Sequence, residues 1–186
     1  MTSQIGPIDF LAYDSDNRVL QARVVLTGDR LTDVLAAGAP IPAEEIVVRD
    51  LRTHVAADPG LRAIDPTRLA IVVATGPRGS MLHRVDTEAQ PVSIHVDRYV
   101  VHGWIHAPAP KNPLDHVHTR PWLPVTDAVL EHHGAGRPWR ERFGTLLVNR
   151  SHAKGIALID EQTHEMHWLA GTAPVAWAPE LIEEIL

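Results

Sequence analysis

Apolar and polar positions along this chain alternate in short runs, and the runs are bounded by turn-forming residues. Ile8-Asp-Phe-Leu-Ala-Tyr13 predicts a strand, and Arg18 to Leu26 a second one. Between them, Asp14-Ser-Asp-Asn17 predicts a tight turn, because Asp, Ser and Asn side chains satisfy turn backbone groups. Leu31 to Ala37 reads as two helical turns closed by Gly38. Glu45 to Leu51 is a further strand, and 56–66, rich in Ala, Asp, Pro and Gly, reads as a loop. The unbroken apolar run Leu69-Ala-Ile-Val-Val-Ala74 predicts a buried strand, followed by a turn at Gly76–Gly79 and a continuation over Met81–Val85.

The second half follows the same order. Val92–Val96 and Tyr99–His106 predict strands joined by a corner at Asp97-Arg98. A proline-rich loop to Pro113 and a helical turn over Leu114–His118 come next. Val125–His132, Phe143–Asn149, Gly155–Ile159 and His164–Leu169 predict the remaining strands. Pro179 to Leu186 predicts a short amphipathic helix, with proline and acids at its start.

Laid side by side, the halves suggest a duplication. Arg18–Val25 lies over Arg98–Ile105, and Leu31–Val48 lies over Pro113–Leu130 without a gap. Asp33 then meets Asp115, Pro42 meets Pro124, Glu45 meets Asp127 and Val47 meets Val129. Leu69–Ala74 lies over Gly144–Asn149. The expected fold is mainly β with short helices: two diverged small β-barrel or sandwich units, 8–85 and 91–170, packed as a pseudo-dimer, with a C-terminal helix over 178–186.

Within the second half, "PLDHV", "WLPVTDAVLE" and "FGTLLVNR" follow one another. This arrangement resembles uncharacterised small bacterial β-barrel domains, Sm-like or split-barrel-like, over residues 92–160 and more faintly over 18–75. The resemblance implies a fold and no activity.

Composition narrows the function classes. The 186 residues are 45% hydrophobic and 22% charged, ordinary values for a folded chain. With no cysteine, disulfides, thiolate metal sites and cysteine nucleophiles are excluded. The N-terminus has no basic region followed by an apolar run, and no apolar stretch approaches the ~20 residues that span a bilayer, so the expectation is a cytoplasmic protein without a membrane partner. A net charge of −6 disfavours a general grip on nucleic acid.

No motif names a reaction. Ser80, Ser93 and Ser151 lack a nucleophile elbow, and Gly76–Ser80 lacks the spacing of a phosphate loop. The leading expectation is therefore a non-enzymatic interaction or assembly module, without cofactor, that binds a protein partner or itself as a homo-oligomer. Its candidate surface is His102, Trp104 and His106, which share one face of a strand by the period of two, extended by Arg120 and Trp122. The alternative is an enzyme or sensor holding a divalent metal such as zinc on Asp115, His116, His118 and His133. A third reading, implied by the Sm-like resemblance, is RNA binding.

Overall fold

The computed structural model describes residues 7–26, 30–57, 59–75, 87–108, 117, 119–133, 138–159 and 166–168. The strands, in chain order, are β1 (Ile8–Asp14), β2 (Arg18–Val24), β3 (Ile41–Asp50), β4 (Ala56–Ala57), β5 (Ala63–Ile64) and β6 (Leu69–Val73). They continue as β7 (Thr87–Val96), β8 (Tyr99–Pro108), β9 (Trp122–His132), β10 (Trp139–Asn149), β11 (Ala153–Ile159) and β12 (Met166–Trp168). One helix, α1 (Leu31–Ala36), and two 3₁₀ turns at Pro66–Arg68 and Arg150–His152 complete the described elements. The chain is thus mainly β, as the alternating pattern predicts. The expected strand at 81–85 and the C-terminal helix lie outside the described residues.

All strands join one antiparallel sheet, in the order β12-β11-β7-β8-β9-β10-β6-β1-β2-β3-β4, with β5 also paired to β3. Local chemistry fixes the corners. Asp14 closes the first hairpin, its carboxylate accepting from the Asp16 and Arg18 amides at 2.9 and 3.0 Å, while Asn17 takes a left-handed φ of 68°. Asp97, φ 53°, turns the corner from β7 to β8.

The pairing scheme of the first half recurs in the second. Arg18 faces Asp50 across β2 and β3, as Tyr99 faces His132 across β8 and β9. Both pairs of strands carry a bulge at the same place, opposite Ala22 and opposite Gly103. The extra residue takes positive φ in each case, at Glu45 and Asp127. On the far side, Arg49 faces Ala56 as Glu131 faces Arg140, and Ile41 faces Ile64 as Leu123 faces Val148. The short β4 and β5 therefore take the places of the two ends of β10, which runs unbroken.

Each half then passes through a matching 3₁₀ turn. Asp65 and Asn149 cap these turns by accepting from the Thr67 and Ser151 amides. The strand that follows pairs back to the start of its half, β6 to β1 and β11 to β7. By this scheme β6 corresponds to β11, not to β10 as the overlay of Leu69–Ala74 on Gly144–Asn149 expected.

Two hydrophobic clusters lie on the sheet. One gathers Phe10, Val24, Leu26, Leu31, Leu35 and Ile46 of the first half, and the other Val92, Ile94, Tyr99, Val101 and Leu130 of the second. The two clusters share a wall made of β6 and β10, paired through Ile71–Val73 and Leu146–Val148. Successive residues of this wall serve opposite clusters: Ile71 and Leu146 pack in the second, Val72 and Leu147 in the first. A strand buried on both faces can carry no polar alternation, which explains the unbroken apolar run.

Candidate functional site

Four charged or titratable side chains meet on one patch of the second half. In the β8–β9 register, Val100 faces Glu131 and His102 faces Val129, so Glu131 and His102 are diagonal neighbours on one face. Arg140 of β10 lies directly across from Glu131, and His133, two residues on, returns to the same face. The carboxylate of Glu131, only 13% exposed, draws them together. Arg140 Nε lies 3.3 Å from its Oε1, and the Nε2 atoms of His133 and His102 lie 3.5 and 3.9 Å from its Oε2.

Burial pushes the His102 pKa down. Glu131 pulls it back up, and Arg140 and His133 add to the downward push. The imidazole is therefore neutral at neutral pH and able to accept a proton beside a carboxylate. This arrangement can bind a proton or a hydrogen-bond donor. Ser93, directly across from His102, is 1% exposed, and its hydroxyl has no hydrogen-bond partner among the described residues.

Of the surface expected from the sequence, His102 joins this patch. Trp104 and His106 continue along β8 past the Gly103 bulge, where His106 Nε2 meets Thr126 Oγ1 at 2.8 Å. At this bulge β9 crosses close over Gly103. A Cβ there would stand 2.6 Å from Val125 Cγ1 and 2.7 Å from the Thr126 carbonyl.

Arg120 and Trp122 lie elsewhere. They line a cleft of about 650 Å3 between the halves, with Leu35 of α1 and both 3₁₀ turns. Trp122 is 5% exposed and packs in the first hydrophobic cluster.

Of the metal set, Asp115, His116 and His118 lie outside the described residues, while His133 turns to Glu131. Among the described residues no group of three or more His, Asp or Glu is arranged to hold a metal ion.

The sequence reading did not bring Glu131 and Arg140 together with His102. Their signal was the pairing register, which sets an acid and a base opposite each other beside a histidine.

A second cluster occupies the junction of the halves. Tyr13, on β1, reaches into the second hydrophobic cluster, and its ring lies 5.6 Å from Tyr99, 6.0 Å from Trp139 and 6.5 Å from Phe143. His132 stacks on Trp139 at 5.6 Å and hydrogen-bonds the Asn17 side chain. Burial raises the pKa of both tyrosines, so neither hydroxyl ionises in the ordinary range. Asn149 Nδ2 donates to the Leu69 carbonyl at 2.9 Å, a further bond between the halves.

These features define a mainly β protein with a polar surface patch and a large internal junction. Comparison with protein-family models, with curated proteins and with solved structures found no match. Among the described residues, no helix is long and apolar enough to cross a membrane.

Proposed function

We propose that the chain is a non-enzymatic assembly module, made of two diverged copies of one small β-unit packed as a pseudo-dimer. The observation that carries this reading is the junction. The last strand of one unit, β6, pairs with the fourth strand of the other, β10, and the neighbouring Tyr13 fills an aromatic mouth beside it. Two different edges meet there, so the contact is heterologous, a type that leaves further edges able to engage another chain. Pairing of exposed edges is also the usual hazard or use of an open sheet.

The polar patch around Glu131 fits the same reading, since its carboxylate is already engaged by Arg140, His133 and His102. Light scattering across a range of concentrations tests the proposal. Self-association that grows with concentration is expected, and a strict monomer at high concentration that also captures no protein partner refutes it.

A further inference from the structure

The Glu131 patch gathers three basic groups on one carboxylate. Arg140 Nε stands 3.3 Å from Oε1, and His133 and His102 stand 3.5 and 3.9 Å from Oε2. Both imidazoles lie beyond ordinary hydrogen-bond length, whereas an imidazolium on a carboxylate closes to about 2.7–2.9 Å. The three also differ in their access to water. The side chains of His102 and His133 are 28% and 33% exposed, and that of Arg140 is 52% exposed. A guanidinium keeps its charge, so it is the imidazoles that can change the balance.

The surroundings supply no second acid. On β7, Ser93 lies across from His102 and His95 across from Val100. Burial keeps His95 uncharged down to about pH 4, so it adds no charge above that. On β10, Arg142 lies across from Val129, on the same face as Arg140, and is exposed. At the corner before β8, the Arg98 carbonyl accepts the His133 amide at 2.8 Å, and Asp97 is turned to Lys154 at 3.4 Å. Glu141 alternates to the opposite face from Arg140. Among the described residues, Glu131 is thus the one acid paired with Arg140, His133 or His102.

At neutral pH His102 is uncharged, and the carboxylate is balanced by Arg140. Each proton that an imidazole takes up adds a positive charge beside Arg140, next to a carboxylate that is 13% exposed. Like charges crowded on one carboxylate repel. The head that leaves is the one nearest water, because a half-exposed ion pair is weak and its cation is easily solvated.

We infer that Glu131 exchanges partners in acid: the imidazoliums of His102 and His133 close on its carboxylate, and the Arg140 head swings out to solvent. The exchange moves side chains and leaves the strands in place. It turns a balanced patch into a face that shows Arg140 and Arg142 side by side on β10, so the surface charge there follows pH.

Side-chain nitrogen NMR on the full chain tests this, with the histidine ring nitrogens followed in the same samples. Arg140 Nε is expected to be ordered at neutral pH. It should fall below an order parameter of about 0.6 as the rings of His102 and His133 take up protons, while the amides of β8, β9 and β10 stay near about 0.85. His102→Gln combined with His133→Gln, in which neither side chain can charge, is expected to keep Arg140 ordered down to the same pH. Glu131→Gln is expected to leave Arg140 mobile at every pH.

An Arg140 head that is already mobile at neutral pH overturns the inference, as does one that stays ordered with both rings protonated. Equal loosening in the double variant also overturns it. So does loosening that comes only with loss of backbone order, which marks acid unfolding, or rings that take up no proton before that loss. The titration of the parent chain decides by itself should the double variant fail to fold.

Discussion

Acid should unfold this protein through its buried histidines before its carboxylates titrate. His95 on β7 is 7% exposed, and burial, helped by His102 and His133, holds its pKa down to about 4. His102 and His132 are pushed the same way, each first by burial. In the unfolded chain a histidine takes up its proton near pH ~6.5. Between that value and about 4, the unfolded state binds more protons than the folded one, so stability falls as pH falls. Above the window nothing is lost, and below it both states hold the proton and the His95 contribution levels off. Each pH unit inside the window costs about 1.4 kcal/mol per unmatched proton, so His95 alone accounts for roughly 3 kcal/mol.

Asp50 and Asp65 act lower down. Hydrogen bonds from Thr53 and Arg52, and from Thr67, hold their carboxyls below the ordinary value. Their stabilising part is present above the unfolded carboxyl pKa and lost beneath it, which separates the two windows. Urea unfolding midpoints measured from neutral pH down to about pH 4 should show the loss, and His95→Gln should remove roughly 3 kcal/mol of it. A ring-nitrogen NMR titration placing His95 near its ordinary value, or a His95→Gln variant with the parent's pH slope, would refute the reasoning.

Three substitutions and one control test the junction and the bulge. Gly103→Ala should cost about 1–3 kcal/mol in thermal or urea unfolding, because its Cβ meets the Thr126 carbonyl at 2.7 Å, a backbone atom that cannot swing away. Tyr13→Ala should cost about 3–5 kcal/mol, since the ring is 3% exposed among three others, and a change below about 1 kcal/mol would show that the aromatic mouth does not couple the halves. Asn149→Asp keeps the cap on Ser151 but loses the donor to the Leu69 carbonyl. It should cost about 1–3 kcal/mol in urea unfolding, whereas Asp65→Asn, which keeps its cap and breaks no such bond, should cost little.

The parts of the fold legible in the sequence are those with one buried face. β8 and α1 follow their apolar periods closely, because each packs one side on a single cluster; β1 and β2 do so except where Tyr13 and Val19 turn to the second one. β3 was read too short. Pro42, Glu44 and Glu45 interrupt the apolar pattern, yet the strand starts at Ile41 and accommodates Glu45 as the extra residue of a bulge. β4 and β5 were read as loop, since two-residue strands in an Ala-, Pro- and Gly-rich stretch carry no period. The overlay of β6 on β10 has a physical cause. They look alike because they are partners in one wall, each buried on both faces, and shared surroundings produced the same composition at non-equivalent places. The equivalent pair, β6 and β11, is marked instead by the Asx-capped turn before each, Asp65-Pro-Thr67 and Asn149-Arg-Ser151.

The candidate site was legible only in part, for a related reason. His102 stood out because strand alternation places it on a face by itself. Glu131 and Arg140 acquire meaning only through a register between strands, and a single strand's pattern does not contain one. The candidate Trp and His residues all fall in the second half, but most of its aromatic rings point inward. Tyr99, Trp139 and Phe143 close a mouth around Tyr13, and Trp122 is buried against the first cluster. Aromatic richness therefore marks the half whose opening is already occupied. At the matching positions the first half carries Arg18, Val55 and Pro59, and Val55 and Leu61 there are exposed among the described residues.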